Sequence, residues 1–255
     1  MQTRSPFEMC APSPDPASPI LPSMLSVKGH SHRCERIINM KEHALIGISP
    51  FNPQFSPSYV SALLAWAESN FKKIDILIPD VESAALLLTS TGTSAQKAIR
   101  KARKELNRQR RVIEPLIDKD SPATAQLIEF SDHFENTAYK KLRKMAQNEY
   151  DEHEEFRTAC DAMSDCAIAS RVRATTTPST SPLPKPRGVA TENYILTEIP
   201  FYLNTPVILD VRSSTLIYHR KWPIGDQLFN NRFRIAIDRN QGHGIVSISN
   251  QKPKI

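Results

Sequence analysis

A serine that directly follows a buried strand is the first residue in this sequence whose position favours chemistry. Ser49 comes after the apolar run 44–48, and a strand without polar alternation is typical of a parallel sheet that is covered on both faces. Reactive groups of such sheets gather in the loops at the carboxyl ends of the strands. Ser49 is therefore a candidate nucleophile, and the alternative is a serine that only satisfies backbone donors of a turn.

Sequence motifs argue against two familiar kinds of site. Gly47 and Ser49 match the first half of the nucleophile elbow G-x-S-x-G, but Phe51 stands where the second glycine is required, which disfavours an ordinary α/β-hydrolase. The sequence contains neither G-x-G-x-x-G nor G-x-x-x-x-G-K-[ST]. A phosphate-cradling nucleotide site is therefore not indicated.

A carboxylate and a phenol lie on one face of a predicted helix. Tyr194 and Glu198 are four residues apart, and Phe201 lies on the same face, so the pair borders an apolar wall. Such a pair suits a small ammonium group, although isolated pairs of this kind also occur as surface or capping features. Tyr218 and His219 end a predicted strand and are placed to reach the same cleft.

A basic helix is the second candidate for a functional surface. It is predicted over residues 93–113, with Thr93 and Gln96 at capping-box spacing, and Glu105 is its only acid between Thr93 and Val112. Without interleaved aromatic residues, the pattern favours phosphate contacts on a folded RNA, and a solvated helix face is the alternative. The cations that form this basic stripe are Lys97, Arg100, Lys101, Lys104, Arg108 and Arg111.

The order of predicted elements indicates the scaffold. Alternating strands and helices predict an α/β, Rossmann-like domain in which a parallel sheet is flanked by helices. The strands are predicted at 44–48, 74–78, 127–130, 215–219, 233–238 and 244–248, and the helices near 56–71, 93–113, 134–149, 153–172 and 190–204.

Composition sets the boundaries of that domain. Of the 20 prolines in 255 residues, 10 fall in the stretches 6–22 and 178–186. We therefore predict a disordered Pro/Ser-rich leader over 1–33, a single domain over 34–250 with a mobile insert at 174–188, and a tail at 251–255.

Charge and cysteine content narrow the functional class. The formal charge of +6 indicates an anionic partner only where cations cluster, as in the basic helix. The 4 cysteines lack C-x-x-C spacing, which argues against a zinc module or a disulfide scaffold. No apolar run approaches the roughly 18 residues of a membrane span. We expect a cytoplasmic protein without metal or membrane association.

Several separated blocks of the chain, taken in order, resemble the cyclodipeptide synthase family. The likeness spans about residues 40 to 250, apart from the insert, and includes members that make cyclo-dileucine, which share the segments 47–52, 218–220 and 240–242. The blocks that carry it are residues 43–56, the basic helix, and residues 134–139, 156–163, 192–201 and 218–222.

The resemblance implies a fold akin to the catalytic domain of class I tyrosyl- and tryptophanyl-tRNA synthetases, working without ATP or another cofactor. It implies that Ser49 accepts an aminoacyl group from one of two aminoacyl-tRNA molecules used in turn. Tyr194 and Glu198 would hold and deprotonate the amine, Tyr218 would assist proton transfer, and Asn52 would shape the catalytic loop. The basic stripe would receive the tRNA.

The resemblance also implies an aminoacyl pocket. Pro79 and Ser170 stand where leucine-type members carry smaller residues, which affects substrate choice, and leucine is the favoured substrate. The implied pocket residues are Leu45, Gly47, Leu77, Pro79, Phe130, Met163, Ser170, Phe201, Leu216 and His219.

Two other functions remain open at this point. In a serine-dependent hydrolase or acyltransferase of small esters, His219 would serve as the base, and the basic stripe would have no role. In a non-catalytic RNA-binding module, Ser49, Tyr194 and Glu198 would have no role.

Overall fold

Six strands form one sheet in the computed structural model, which describes residues 20–117, 124–175 and 189–248. The strands are β1 (Leu25–Gly29), β2 (His43–Gly47), β3 (Lys73–Ile78), β4 (Thr124–Glu129), β5 (Ser214–Tyr218) and β6 (Gln241–Ile248). Their spatial order is β1-β6-β5-β2-β3-β4, with β1 antiparallel to β6 and all other neighbours parallel. The predicted Rossmann-like α/β architecture is confirmed. The predicted tail, most of the predicted insert and residues 1–19 lie outside the described residues.

Helices cover both faces of this sheet. They are α1 (His32–Met40), α2 (Pro57–Glu68), α3 (Val81–Thr89), α4 (Ala95–Ile113), α5 (Thr137–Glu152), α6 (Glu154–Thr175), α7 (Val189–Leu209) and α8 (Gly225–Phe229). Because successive strand residues point to opposite faces, Ile46 and Ile76 pack in the core under α2 and α4. Leu45 and Leu77 pack in the core shared with α6 and α7.

Local sequence explains where α2 begins, but it does not place the start of α4 correctly. Ser56 caps α2 by accepting a hydrogen bond from the Tyr59 backbone N–H, and Pro57 occupies the first turn, as the sequence predicts. The predicted capping box of the basic helix is wrong, because α4 begins at Ala95 with Ser94 at the N-cap and no side-chain cap hydrogen bond.

The folded region begins earlier than the sequence predicts. Residues 25–33, predicted to belong to the leader, form β1 and the start of α1, which Ser31 caps through the Cys34 backbone N–H. β1 is a five-residue edge strand whose partner lies at the other end of the chain, since Ser26 pairs with Ser247. A segment this short that is defined by so distant a partner carries little local signal.

The predicted strand over 233–238 is wrong. Phe233, Ile235 and Ile237 are buried and alternate with exposed neighbours, which is the pattern that suggests a strand. β6, however, already has β5 on one side and β1 on the other, so the segment has no free sheet edge to join. It packs instead on the α6 core, where the rings of Phe233 and Phe156 lie 5.0 Å apart.

The remaining observations concern α3 and the apolar character of the helices. The sequence does not predict α3, whose residues 84–88 are all apolar and so lack the alternation of faces that marks a surface helix. Within the described residues, no helix is both long enough and apolar enough to cross a bilayer.

Candidate active site

The carboxyl ends of two adjacent parallel strands form the floor of a pocket. β2 pairs with β5 in the register Ile46 to Ile217, so Gly47 and Tyr218 end side by side. β2 also pairs with β3 on its other side, and such a branch point of strand order is where α/β sheets place ligands. The pocket is lined by Gly47, Ile48, Ser49, Leu77, Pro79, Phe130, Met163, Ala167, Tyr194, Ile195, Glu198, Tyr218, His219, Arg220, Trp222 and Pro223.

Most residues singled out from the sequence therefore meet in one place. All the predicted catalytic residues except Asn52 line the pocket, and so do most of the predicted pocket residues. The side chain of Ser170 lies outside the described residues.

Three predicted pocket residues do not line the pocket. Leu45, Leu216 and Phe201 are fully buried in the core beneath it. Leu45 and Leu216 come two residues before Gly47 and Tyr218, which places each about 7 Å deeper along its strand. Phe201 lies one helical turn beyond Glu198. These three residues support the pocket wall without forming it.

A buried hydrogen bond joins the two sides of the pocket. The Tyr218 hydroxyl on β5 donates to Glu198 Oε1 on α7. Burial, reinforced by the charge of Glu198, raises the pKa of Tyr218 well above its ordinary value. Tyr218 therefore keeps its proton and acts as a donor that orients the Glu198 carboxylate.

Gly47 is required by the position of the Tyr218 ring. A Cβ atom at residue 47 would lie 2.6 Å from Tyr218 Cε1 and 3.2 Å from Cζ. Both contacts are shorter than van der Waals separation, so any larger residue would displace the ring that orients Glu198.

Asn52 lies behind the pocket and fixes His219. Its side-chain oxygen accepts from the Gln54 backbone N–H at 3.0 Å, so its amide nitrogen is left to donate to His219 Nε2 at 3.1 Å. The proton of the neutral ring is therefore assigned to Nδ1. Burial, and secondarily the charge of Arg220, lowers the pKa of His219 to about 3. Neither ring nitrogen offers a free lone pair, which argues against His219 as the base of a hydrolase.

The basic helix holds the loop that carries Ser49. Gln109 Nε2 donates to the Ser49 carbonyl oxygen and Glu105 Oε1 accepts from the Phe51 backbone N–H, both at 3.4 Å. Phe51 has a φ of 61°, the left-handed conformation that a glycine adopts without strain. Glu105 also accepts two hydrogen bonds from Arg108. The only acid of the helix thus tethers the loop to the basic stripe, whose six cations are all exposed.

Stacked rings support Tyr218 from behind. The Trp222 ring lies 4.8 Å from Tyr218 and 4.6 Å from Tyr202, and Tyr202 stacks on His243 at 4.0 Å. His243 Nε2 also donates to the Tyr202 carbonyl oxygen at 2.9 Å. That oxygen has no helical donor because Pro206, four residues on, lacks an N–H. We call Trp222, Tyr202 and His243 the aromatic column.

A kink in α7 is secured from the same strand as His243. Asn204 leaves helical geometry with a φ of −158°, and the Thr205 N–H donates to Gln241 Oε1 at 2.8 Å instead of to the helix. Strand β6 thus supplies hydrogen bonds that the kinked helix lacks, which fixes the helix that carries Tyr194 and Glu198.

Sequence reasoning missed six of the lining residues: Ile48, Ala167, Ile195, Arg220, Trp222 and Pro223. Ala167 follows Met163 by four residues on α6, a spacing that the sequence does show. Arg220, Trp222 and Pro223 belong to the loop after β5, and a loop conformation leaves no periodic pattern to read.

Comparison with known proteins gives one consistent family. The cyclodipeptide synthase family profile matches residues 25–248. A cyclo(L-leucyl-L-leucyl) synthase of Photorhabdus laumondii is 39% identical over 224 residues, which are 87% of this chain and 95% of the relative. The crystal structure of a cyclodipeptide synthase from Bacillus thermoamylovorans superposes with a TM-score of 0.84 at 33% identity, covering 90% of this chain and 98% of that one.

A second similar structure connects the fold with a wider group of enzymes. A Mycobacterium tuberculosis protein has a TM-score of 0.73 at 28% identity, covering 89% of this chain and 94% of that one. Its structure was described as demonstrating that cyclodipeptide synthetases are related to type I tRNA synthetases.

The lowered pKa values of His219 and His243 generate a prediction about pH. Burial lowers the pKa of His219 and of His243 to about 3, below the value of about 6.5 expected in the unfolded chain. The unfolded state therefore binds more protons between pH 6.5 and 3, and stability falls as the pH is lowered through this window. We expect the NMR signals of both imidazoles to stay constant from pH 8 to 5 and His243→Gln to flatten the pH dependence of urea unfolding. Titration of either signal near pH 6.5 in the folded protein would contradict the assignment.

Proposed function

This chain belongs to the cyclodipeptide synthase family, and from that membership we propose that it joins the aminoacyl groups of two aminoacyl-tRNAs into a diketopiperazine, through a covalent intermediate on Ser49, in the cytoplasm. One observation supports the covalent route above others. Ser49 lines the same pocket as Tyr194, Glu198 and Tyr218, so a nucleophile and the groups that handle an amine face one cavity.

The first step exchanges one ester for another. Ser49 Oγ attacks the carbonyl carbon of the first aminoacyl-tRNA, the bond to the terminal ribose oxygen breaks, and the serine proton leaves with that oxygen. The aminoacyl ester is already activated, so the exchange is nearly neutral in free energy and needs no nucleotide. Because His219 offers no free lone pair, we assign the relay of this proton to the neighbouring hydroxyl of the ribose.

The pocket then prepares the amine for attack. An amine is a nucleophile only when it is unprotonated, and Glu198 is the carboxylate of the pocket that can hold the ammonium group and take its proton. Tyr218 remains protonated and orients that carboxylate. Tyr194 lies one helical turn before Glu198 and adds a second polar contact for the same amine.

Two attacks by amines complete the product. The amine of the group on Ser49 attacks the ester of the second aminoacyl-tRNA, which releases the tRNA and leaves a dipeptidyl ester on Ser49. The new terminal amine attacks that ester, closes the ring and returns Ser49 to its hydroxyl form. Each attack converts an ester into an amide, which is downhill, so the site needs mainly to orient the groups and exclude water.

Leucine is the substrate that we propose. The wall of the pocket is apolar, with Leu77, Phe130, Met163, Ala167 and Ile195 among its residues. A similar protein from Photorhabdus laumondii is a cyclo(L-leucyl-L-leucyl) synthase. One methylene changes selectivity in such a pocket by only about 1–3 kcal/mol, so related apolar residues should enter at lower frequency.

Expression in a bacterial host tests the proposed reaction, because the host supplies the aminoacyl-tRNAs. We expect mass spectrometry of the medium to show diketopiperazines in which leucine predominates, with minor mixed products. Ser49→Ala should reduce them to background, whereas Ser61→Ala, at an exposed position on α2, should leave them unchanged. Matching urea midpoints for the two variants would show that both are folded. Continued synthesis by Ser49→Ala would refute the covalent route.

The basic stripe should determine how binding of tRNA depends on salt. Arg100, Lys101 and Lys104 are exposed, and unlike Arg108 they are not engaged by Glu105. Changing all three to Gln in the Ser49→Ala background should lower the slope of log affinity against log salt by about 0.9 per lost phosphate contact. The same change at Lys140, Lys141 and Lys144 of α5 is the matched control and should have little effect. An unchanged slope in the α4 variant would show that the tRNA binds elsewhere.

A further inference from the structure

The rim of the pocket carries a cation that the proposed reaction does not use. Arg220 follows Tyr218 and His219 in the loop after β5, is half-buried and lines the pocket. Within the described parts of the chain, no carboxylate lies within ion-pair distance of its guanidinium. Its neighbour Lys221, by contrast, is paired with Asp226 at 2.7 Å. Its half-buried guanidinium at the pocket rim, without a carboxylate partner among the described residues, is therefore available to an anion from outside the protein.

The chemistry of an aminoacyl-tRNA limits what that anion can be. The amino group of the substrate is positive and would be repelled by Arg220, and a leucyl side chain carries no charge. The ester, however, joins the aminoacyl group to the terminal ribose, and the nearest anion to it is the phosphodiester of that terminal nucleotide. A guanidinium presents a planar fork of N–H donors that matches two phosphate oxygens.

The surroundings of the rim agree with such a contact. The basic helix approaches the Ser49 loop through Gln109 and Glu105, and Arg220 reaches the same pocket from the loop after β5. A strand of RNA that leads along the basic stripe to Ser49 would therefore meet Arg220 at its end. In the pocket itself, the carboxylate of Glu198 is already engaged by Tyr218.

We propose that Arg220 forms a phosphate subsite at the rim of the pocket, which binds the last phosphodiester of the acceptor end and so places the ester carbonyl at Ser49. The inference rests on the proposed function and adds a binding residue to it. The subsite takes a nucleic-acid phosphate and is independent of the amino acid carried.

An experiment that combines a substitution in the protein with a chemical change in the tRNA tests the subsite directly. The probe is leucyl-tRNA with either its natural terminal phosphodiester or an uncharged methylphosphonate at that linkage. Transfer of labelled leucine to the protein is measured in a single turnover for the wild type, Arg220→Gln and Arg220→Lys. We expect Arg220→Gln to slow transfer from natural leucyl-tRNA by about 10-fold or more, the loss typical of one charged hydrogen-bonding contact. Arg220→Lys should retain part of the rate.

The methylphosphonate separates a phosphate contact from a structural role. It should slow the wild type about as much as Arg220→Gln does, and it should slow Arg220→Gln little further, because the two changes remove the same contact. Arg212→Gln, at an exposed position two residues before β5 and thus at the opposite end of that strand from the pocket, is the matched control and should keep the full response to the methylphosphonate.

Three results would overturn the inference. If Arg220→Gln and the methylphosphonate together slow leucyl transfer by about 100-fold, the two effects are independent and Arg220 acts on something other than this phosphate. If Arg220→Gln does not slow transfer, there is no subsite. If the wild type never takes up leucine from natural leucyl-tRNA, the proposed function fails and the subsite fails with it.

Discussion

The buried hydrogen bond from Tyr218 to Glu198 is the interaction on which the rest of the site depends. It joins Tyr218, the last residue of β5, to Glu198 on α7 across the pocket. The bond forms only if neighbouring residues hold the Tyr218 ring in position. The backbone of Gly47 admits the ring, and the aromatic column of Trp222, Tyr202 and His243 holds it from behind. The separate features of the fold thus converge on the orientation of one carboxylate.

Burial also controls where charge resides. His219 and His243 have a lowered pKa and remain neutral, and the phenol of Tyr218 keeps its proton. Among the described residues that line the pocket, the charged groups are then the Glu198 carboxylate inside and the Arg220 guanidinium at the rim. The aminoacylated end of a tRNA carries a positive ammonium group and, one nucleoside away, a negative phosphate. The Glu198 carboxylate is complementary to the ammonium group, and the Arg220 guanidinium is complementary to the phosphate.

Sequence patterns could predict the parts of the site that obey a local rule. Ser49 follows a strand, Tyr194 and Glu198 share a helical face, and the basic stripe repeats at helical spacing, so each is visible within a few residues. The aromatic column joins α7, β6 and the loop after β5, and β1 pairs with β6 from the opposite end of the chain. Contacts of this kind exist only after folding. The pattern of the segment 233–238 correctly predicts which residues are buried. It cannot show that β6 is already paired with β5 and β1, which leaves the segment no strand to pair with.

The most direct test of the account is the chemical state of Ser49 during the reaction. Purified protein is mixed with leucyl-tRNA, quenched in acid and mapped by peptide mass spectrometry, for the wild type and for Glu198→Gln. The account predicts one leucyl group on the peptide that contains Ser49, and more of it in Glu198→Gln, where the amine is not deprotonated and the ester persists. Release of cyclodipeptide from a protein that never carries the leucyl group, or a leucyl group on another residue, would contradict it.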